Sequence, residues 1–441
     1  WFNRGDLMFF RLLKDALKVK SVRKKIFFTI FIIFVFRVGT HITVPGINAK
    51  SLEQLSDLPF LNMLNLVSGN AMSNFSVFSM GVSPYITASI VVQLLQMDIL
   101  PKFVEWGKQG EVGRRKLNQA TRYISLVLAF FQSIGITAGF SALSSVSLVK
   151  TPNVQTFLLI GAILTAGSVV VTWLGDQISD KGFGNGVSMI IFAGIISSIP
   201  GTIKSVYEDY FVNIRSSEMK NSLIFVGLLI LASLIIIFFT TFVQQAEYKI
   251  PIQYTKLAQG APTNSYLPLK INPAGVIPVI FASSITTIPS TILPFFQHGR
   301  DIPWMTTLQE WLSYTNPTGM AVYAVLIVLF SFFYTFVQVN PEKTAENLQK
   351  NASYIPSVRP GRETEEYLSS LLKKLATIGS IFLAFVALSP IVAQQQFDLS
   401  SSVALGGTSL LIVISTGIEG MKQLEGYLLK RKYVGFMNVT E

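Results

Sequence analysis

The chain has 441 residues, half of them apolar and only 13% charged, with a mean hydropathy of +0.50 and a net charge of +11. That composition belongs to a polytopic membrane protein rather than to a string of soluble domains. Cysteine is absent and the two histidines, His41 and His298, lie far apart, so disulfides, thiolate metal sites and histidine catalysis are not expected.

From Met8, MFFRLLKDALKVKSVRKK reads as a basic amphipathic helix with Phe9, Leu13 and Leu17 on one face, lying on the cytoplasmic membrane surface as far as residue 25. No cleavable signal is visible in it. A helix must use about 20 residues to cross the hydrocarbon layer. Windows of that size place ten spans near 26-44, 78-99, 122-143, 155-174, 186-200, 222-244, 274-295, 319-339, 371-394 and 403-424. With the N-terminus inside, 28 of the 35 Lys and Arg fall in or beside cytoplasmic segments, six fall outside, and Arg37 lies within the first span. The positive-inside rule therefore predicts that both termini face the cytoplasm, and the basic loops suit anionic lipids, a ribosome or an acidic partner.

Several segments depart from a plain bundle. Residues 45-76 are too long and too apolar for a connector, and FLNMLNLVSGNAM within them makes a helix too short to span. It is either a re-entrant, plugging element or an interfacial helix. The fifth span is short, from GFGNGVSM to a stop at SSIP, and the seventh begins in LPLKINPAGVIPVIFASS, with Pro273, Gly275 and Pro278 at its mouth. Pro273 is expected in the tolerated first turn and Pro278 at a bend just before Ile280. Five spans precede the 200-221 loop and five follow it. An odd number per half gives the halves opposite topology, as in inverted repeats around a midplane pathway.

The span interiors carry almost no ionisable residues beyond Arg37; Asp98, Arg122, Asp176, Lys373, Lys374, Glu419 and Lys422 sit at cytoplasmic ends. An ion-coupled carrier of small solutes normally needs buried carboxylates or histidines, so this rival is disfavoured. Two spans instead present apolar pairs at i, i+4, Val82 with Ile86 and Val187 with Ile191, each pair on one helix face. Such pairs alone are ordinary packing surface. KGFGNGVSM lacks the lysine and hydroxyl of a phosphate cradle and follows no strand; a glycine-rich start allowing close helix packing explains it better. No Ser/His/Asp set, paired intramembrane carboxylates or HExxH motif appears, which disfavours a membrane enzyme. Energy for any work must come from a partner.

The loop sequences are more specific. QGEVGRRKLNQATRY (109-123), WLGDQISDKGFGNGVSMIIFAGI (173-195), LPLKINPAGVIPVIFASS (267-284), NPEKTAENLQKNASYIPSVRPG (340-361) and GGTSLLIVIS (406-415) closely resemble the SecY family, the channel subunits of the bacterial Sec protein translocase. The likeness runs from about Met8 to the end. It implies an all-α fold of ten transmembrane helices in two inverted five-helix halves, 26-200 and 222-424, hinged at an external loop, 201-221, with a cytoplasmic tail at 425-441. It also implies a passive channel that passes unfolded polypeptides across the membrane and releases apolar spans sideways, with no cofactor or metal.

By position, the resemblance implies an apolar pore ring of Val82, Ile86, Val187, Ile191, Ile280 and Ile412. Branched apolar side chains of this kind can close by dewetting and deform around a peptide. The family's plug matches about 60-74, where Asn65, Ser68, Gly69, Asn70 and Ala71 suit a reversible dock. Gln93 and Asn272 match polar positions of the lateral gate, though interhelical hydrogen bonding accounts for them as well. The loops 245-273 and 340-370 resemble docking sites for the SecA motor and the ribosome. Lys249, Lys256, Arg359 and Tyr433 are the residues expected to face those partners, and a lipid-facing rim is the plainer role for Arg359. Relatives often carry a basic pair where this chain has Gly260-Ala261-Pro262, so charge is not expected there. The implied partners are SecE, SecG, the SecA ATPase, the ribosome, signal sequences and nascent chains, and anionic lipids, with SecDF and YidC as auxiliary partners.

Overall fold

The computed structural model describes residues 14-48, 68-69, 71-96, 100-143, 149, 153-212, 219-254, 265-286, 304, 307, 311-312, 316-397 and 406-437. Twelve principal helices are described: α1 Lys20–Gly39, α2 Ser83–Leu95, α3 Pro101–Lys108, α4 Gly110–Leu143, α5 Val154–Lys181 and α6 Gly186–Tyr207, then α7 Met219–Gln245, α8 Ile277–Thr286, α9 Pro317–Gln338, α10 Pro341–Lys350, α11 Arg362–Phe397 and α12 Gly406–Met437. Each of the ten expected spans coincides with one of them. Six are long and apolar enough to cross a membrane on their own, α4, α5, α6, α7, α9 and α11, while α2 and α8 are apolar but shorter. Length and hydropathy alone thus support six of the ten expected spans among the described residues. Helix α1 carries Arg23, Lys24, Lys25 and Arg37, and the second half of α12 is polar.

In the first half α4 packs between α2 and α5, and α5 against α1 and α6. In the second half α9 packs on α11, and α12 on α7 and α11; the halves meet where α12 lies along α6. One large apolar cluster runs through both halves, with Ile86, Ile90, Ile178 and Ile191 from the first and Val279, Tyr323, Leu383 and Leu411 from the second. Helix α7 leaves Leu228, Leu231, Ile235, Phe238 and Phe242 on the outside, a surface that suits lipid.

Four expectations change. The 100-121 segment, read as a loop, is helical: Pro101 opens α3, and α4 then begins at Gly110, a full three turns before the apolar stretch. The fifth span does not stop at SSIP. Helix α6 continues through Pro200 to Tyr207 and into the π-turn Glu208–Val212, which replaces part of the expected hinge loop. A proline there removes one backbone bond, whereas leaving the helix in a lipid-facing stretch would strand many more.

The seventh span also starts later. Residues 273-276 form turns and α8 begins at Ile277. Pro273 therefore precedes the helix, and Pro278 occupies its first turn, where the missing N–H has no intrahelical partner to lose. It does not bend an established helix.

The fold is mostly helical as expected, and one region departs from it. Strands β1 Glu247–Tyr254, β2 Ser265–Lys270 and β3 Ser353–Tyr354 form a small sheet in the order β2-β1-β3, with Glu247 opposite Lys270 and Gln253 opposite Tyr354. Alternation places Ile250 and Ile252 inward, and Ile250 and Leu269 pack on Leu368 and Leu372 of α11. At the N-terminus, Phe9 and Leu13 lie outside the described residues. Leu17 is exposed, as expected of a lipid-facing residue, but Ala16 and Val22 pack against Leu424 of α12.

Candidate pore, plug and lateral gate

The six expected ring residues come from four helices and share one large apolar cluster. Val82 precedes the first turn of α2 and Ile86 follows one turn on; Val187 opens α6, where Asn185 Oδ1 accepts from the Val187 and Ser188 amides, and Ile191 is one turn further. Ile280 lies in the first turn of α8 and Ile412 in the second of α12. All six belong to the large cluster: Val82, Ile86 and Ile191 are buried, and Val187, Ile280 and Ile412 are half-buried against it. Ala71, from the segment compared with the plug, is buried in the same cluster, as are Phe36 and Phe78.

The described part of that segment, 68-69 and 71-74, and the stretch that follows it to residue 82 are held by several contacts. Gly69 has φ +68°, and a Cβ on it would approach Gly194 of α6 and the Phe36 ring to 3.1 Å. Arg37 Nη1 donates to the Gly69 carbonyl at 2.7 Å, the Ser79 hydroxyl donates to the Ala71 carbonyl at 3.0 Å, and Asn74 Nδ2 donates to the Thr40 carbonyl at 3.3 Å. The Phe36 and Phe78 rings stack 6.0 Å apart. Ser68 is buried, and Met72 and Phe75 enter a second cluster with Val44, Ile136, Ile160 and Leu164. Ser168 of α5 donates to the Gly81 carbonyl at 3.0 Å just before α2. Asn65 and Asn70 lie outside the described residues.

At the positions compared with the gate, Gln93 Nε2 donates to Ser89 Oγ at 3.3 Å, one turn back on α2. Asn272 Nδ2 donates to the Gly275 carbonyl at 2.9 Å and closes the turn before α8, while Asn272 itself is buried against Gly379 of α11. The other amide oxygens, Gln93 Oε1 and Asn272 Oδ1, are buried with no hydrogen-bond partner among the described residues. Each such oxygen carries a desolvation cost until a donor reaches it. Phe281 of α8 meets Phe330 and Tyr334 of α9 edge-on, at 5.9 and 6.0 Å.

At the positions expected to face the motor or ribosome, Lys249 of β1 is exposed, its ammonium 4.7 Å from the centre of the Tyr266 ring. Arg359 is exposed just before α11, paired loosely with Glu363 at 3.7 Å. Lys256 lies outside the described residues, and Tyr433 falls on the last turns of α12.

Two contacts were not read from the sequence. Gly194 and Phe36 form the seat of Gly69, and their only signal was a small and a large residue inside apolar runs. Arg122 of α4 and Asp176 of α5 pair at 2.6 Å, although the sequence shows them only as two charges at cytoplasmic ends.

A sequence model of the SecY family matches residues 76–421. The chain is 72% identical over 434 residues to the protein translocase subunit SecY of Streptococcus gordonii, covering 98% of this chain and all of that one. It is 68% identical over 433 residues to the SecY of Lactococcus lactis subsp. lactis, covering 98% and 99%. Among solved structures, one reported as "The structure of a protein conducting channel" superposes with a TM-score of 0.66 at 17% identity, over 91% of each chain. Another, reported as "The plug domain of the SecY protein stablizes the closed state of the translocation channel and maintains a membrane seal", gives 0.62 at 17% identity over the same share of each. A third, "Sec61 in the Canine ribosome-channel complex from the endoplasmic reticulum", gives 0.63 at 16% identity, again over 91% of each. At those identities the structures attest the fold, and the family rests on the sequence matches. This chain belongs to the SecY family of protein translocase subunits.

Proposed function

We infer that the chain is the pore-forming subunit of a protein translocase, a multi-pass membrane channel through which unfolded polypeptides cross and from which apolar segments leave sideways into lipid. The observation that carries this reading is the meeting of six branched apolar side chains from α2, α6, α8 and α12 in one cluster that also holds Ala71 of the adjoining segment. Such a ring excludes hydrated ions because water leaves a narrow apolar constriction. It yields to a peptide because no bond of fixed direction must be broken. In this reading residues 60-74 are the plug and 200-221, now partly helical, the external hinge.

In this reading the gate lies between α2 and α8, which both contribute to the large apolar cluster. Gln93 and Asn272 sit at its polar edge, and their unsatisfied amide oxygens favour a site that opens over one that is permanently packed. The excess of Lys and Arg in the loops between spans supports cytoplasmic N- and C-termini in the bacterial cytoplasmic membrane. The sheet β1–β3 with Lys249, and the exposed Arg359, form the face for the energy source, SecA or a translating ribosome. SecE and SecG complete the complex, with SecDF and YidC as auxiliary partners.

The test is cysteine crosslinking in reconstituted membranes. A stalled secretory chain should crosslink to cysteines placed at positions 86, 191 and 280 and not to lipid-facing positions such as 231. Labelling at 231 equal to that at the ring would count against a central pore.

A further inference from the structure

Two of the carboxylates near the ends of the spans are neutralised within the chain. Asp176 of α5 pairs with Arg122 of α4 at 2.6 Å, and Glu247, at the start of β1, pairs with Lys422 of α12 at 2.6 Å. Glu419 of α12 forms no ion pair among the described residues, because Lys422, three residues on along the same helix, is taken up by Glu247. Glu419 is exposed, while Thr416 and Gly420 beside it are buried.

Glu419 follows Ile412 by seven residues, almost two full turns, so it lies on the helix face that carries the ring residue, about 10 Å further along α12. That face does not look out into lipid. The Phe183 ring lies 3.2 Å from where a Cβ on Gly420 would be, and Gln423 Oε1 accepts from the Gly184 N–H at 3.0 Å. The turn between α5 and α6 therefore covers the helix next to Glu419. Tyr334 of α9 lies within electrostatic range of the Glu419 carboxylate, and it meets Phe281 of α8 edge-on at 6.0 Å. An exposed, uncompensated carboxylate thus stands two turns from the apolar ring and beside the aromatic residues of α8 and α9.

Acidic side chains in membrane helices are rare, and they face interior pathways where they meet a partner. No described residue pairs with Glu419, but a passing polypeptide can. Segments that enter a membrane carry Lys and Arg beside their apolar stretch, and that flank stays on the entry side. We propose that Glu419 receives this basic flank, a specificity-determining residue that binds a Lys or Arg of the arriving segment and so fixes which of its ends remains on the entry side. The proposal rests on the channel reading above. With the cation on Glu419, the apolar stretch that follows begins at Tyr334 and Phe281, which offer it an aromatic surface on the way to lipid. A segment arriving reversed would lay apolar side chains on Glu419, stripping water from the carboxylate with no counter-charge in return. Both effects favour one orientation.

The test uses single-span reporters with no charge, two lysines or two glutamates on one flank. The full channel with its partners inserts them into vesicles of one lipid composition, and protease protection reads the side on which the flank ends. For the two-lysine reporter, Glu419→Lys should lower the ratio of retained to inverted molecules by about tenfold, the size of one charge-assisted hydrogen bond. Glu419→Gln, of nearly the same shape, should lose less, and Glu419→Asp should keep most of the wild-type ratio. The two-glutamate reporter should shift in the opposite direction in Glu419→Lys, and the uncharged reporter should not move. An unchanged ratio for the two-lysine reporter in Glu419→Lys would overturn the proposal. Equal shifts for the charged and uncharged reporters would also overturn it, since they would mark a general disturbance of the gate. Wild-type channel that inserts none of the reporters would instead sink the channel reading itself.

Discussion

Arg37 Nη1 donates to the carbonyl oxygen of Gly69 at 2.7 Å, joining a charge in the last turn of α1 to the buried segment that precedes α2. Charged side chains within membrane helices are rare, and those present pair with one another or with backbone carbonyls. Such a residue persists where it has a specific partner, and here the partner is a backbone carbonyl of the proposed plug.

The first prediction concerns that bond. A hydrogen bond from a charged donor contributes about 1.5–3 kcal/mol, equivalent to a shift of roughly 10- to 100-fold in a two-state balance. Arg37→Leu should therefore unseat the 68-82 segment more often and raise the resting ion conductance of reconstituted channels by about tenfold or more. Arg37→Lys, whose ammonium can still reach a carbonyl, should recover part of the seal. Resting conductance equal to wild type in Arg37→Leu would show that the bond does not hold the segment in place.

Gly194 offers a second route to the same state. A Cβ there would strike the Gly69 Cα, so no side chain fits without moving the segment or α6. Gly194→Val should raise resting conductance and lower thermal stability by about 1–3 kcal/mol, the usual range for overpacking. Gly201, on the same helix with nothing within 4 Å of an added Cβ, is the control. Gly201→Ala should be neutral or stabilising by up to about 1 kcal/mol. Equal effects of the two substitutions would point to helix propensity rather than to the contact with Gly69.

These two sites show what could and could not be read from the sequence. Arg37 was legible as the one charge inside a span because composition makes it an exception. Its acceptor was not, because a carbonyl 32 residues away carries no sequence signature. The spans were legible from hydropathy, but their ends were not: Pro200 looked like a stop, and the cost of stranded backbone in lipid carried α6 past it. The sheet had a signal in the inward Ile250 and Ile252, yet Pro251 and Pro268 argued against strands. Pro251 faces Tyr266 in the register, so the strand tolerates it. Arg122 and Asp176 were both visible as charges at helix ends, and only the packing of α4 on α5 made them a pair.

The apolar cluster gives the third prediction. Ile86, Ile191 and Ile280 approach it from three different helices, so no single truncation removes the constriction. Ile86→Gly alone should leak modestly, and the triple change to Gly should leak far more than the sum of the singles, because the remaining residues can no longer meet. Truncating buried Ile86 and Ile191 should also destabilise the fold, by about 2–5 kcal/mol each. Changes to Ser test polarity separately: a hydrated constriction stays open to ions even at similar width. Single-channel conductance that rises equally for a triple change at lipid-facing Leu228, Leu231 and Ile235 would sink the ring assignment.

Arg359 carries the last prediction, on the face proposed for the motor. Arg359 is highly exposed and its pairing with Glu363 at 3.7 Å is long, so the pair adds at most a few tenths of a kcal/mol to stability. Arg359→Glu would set two carboxylates at i, i+4 at the start of α11, a repulsion of similarly small size. Melting behaviour and membrane insertion of short apolar proteins should therefore remain near wild type. If this face docks the motor as proposed, SecA-driven export should fall steeply, because the reversed charge would oppose a surface complementary to arginine. Raising the salt concentration should weaken wild-type motor binding and narrow its difference from the variant, as expected of exposed charges. Parallel loss of export, insertion and thermal stability would show instead that Arg359 serves the fold.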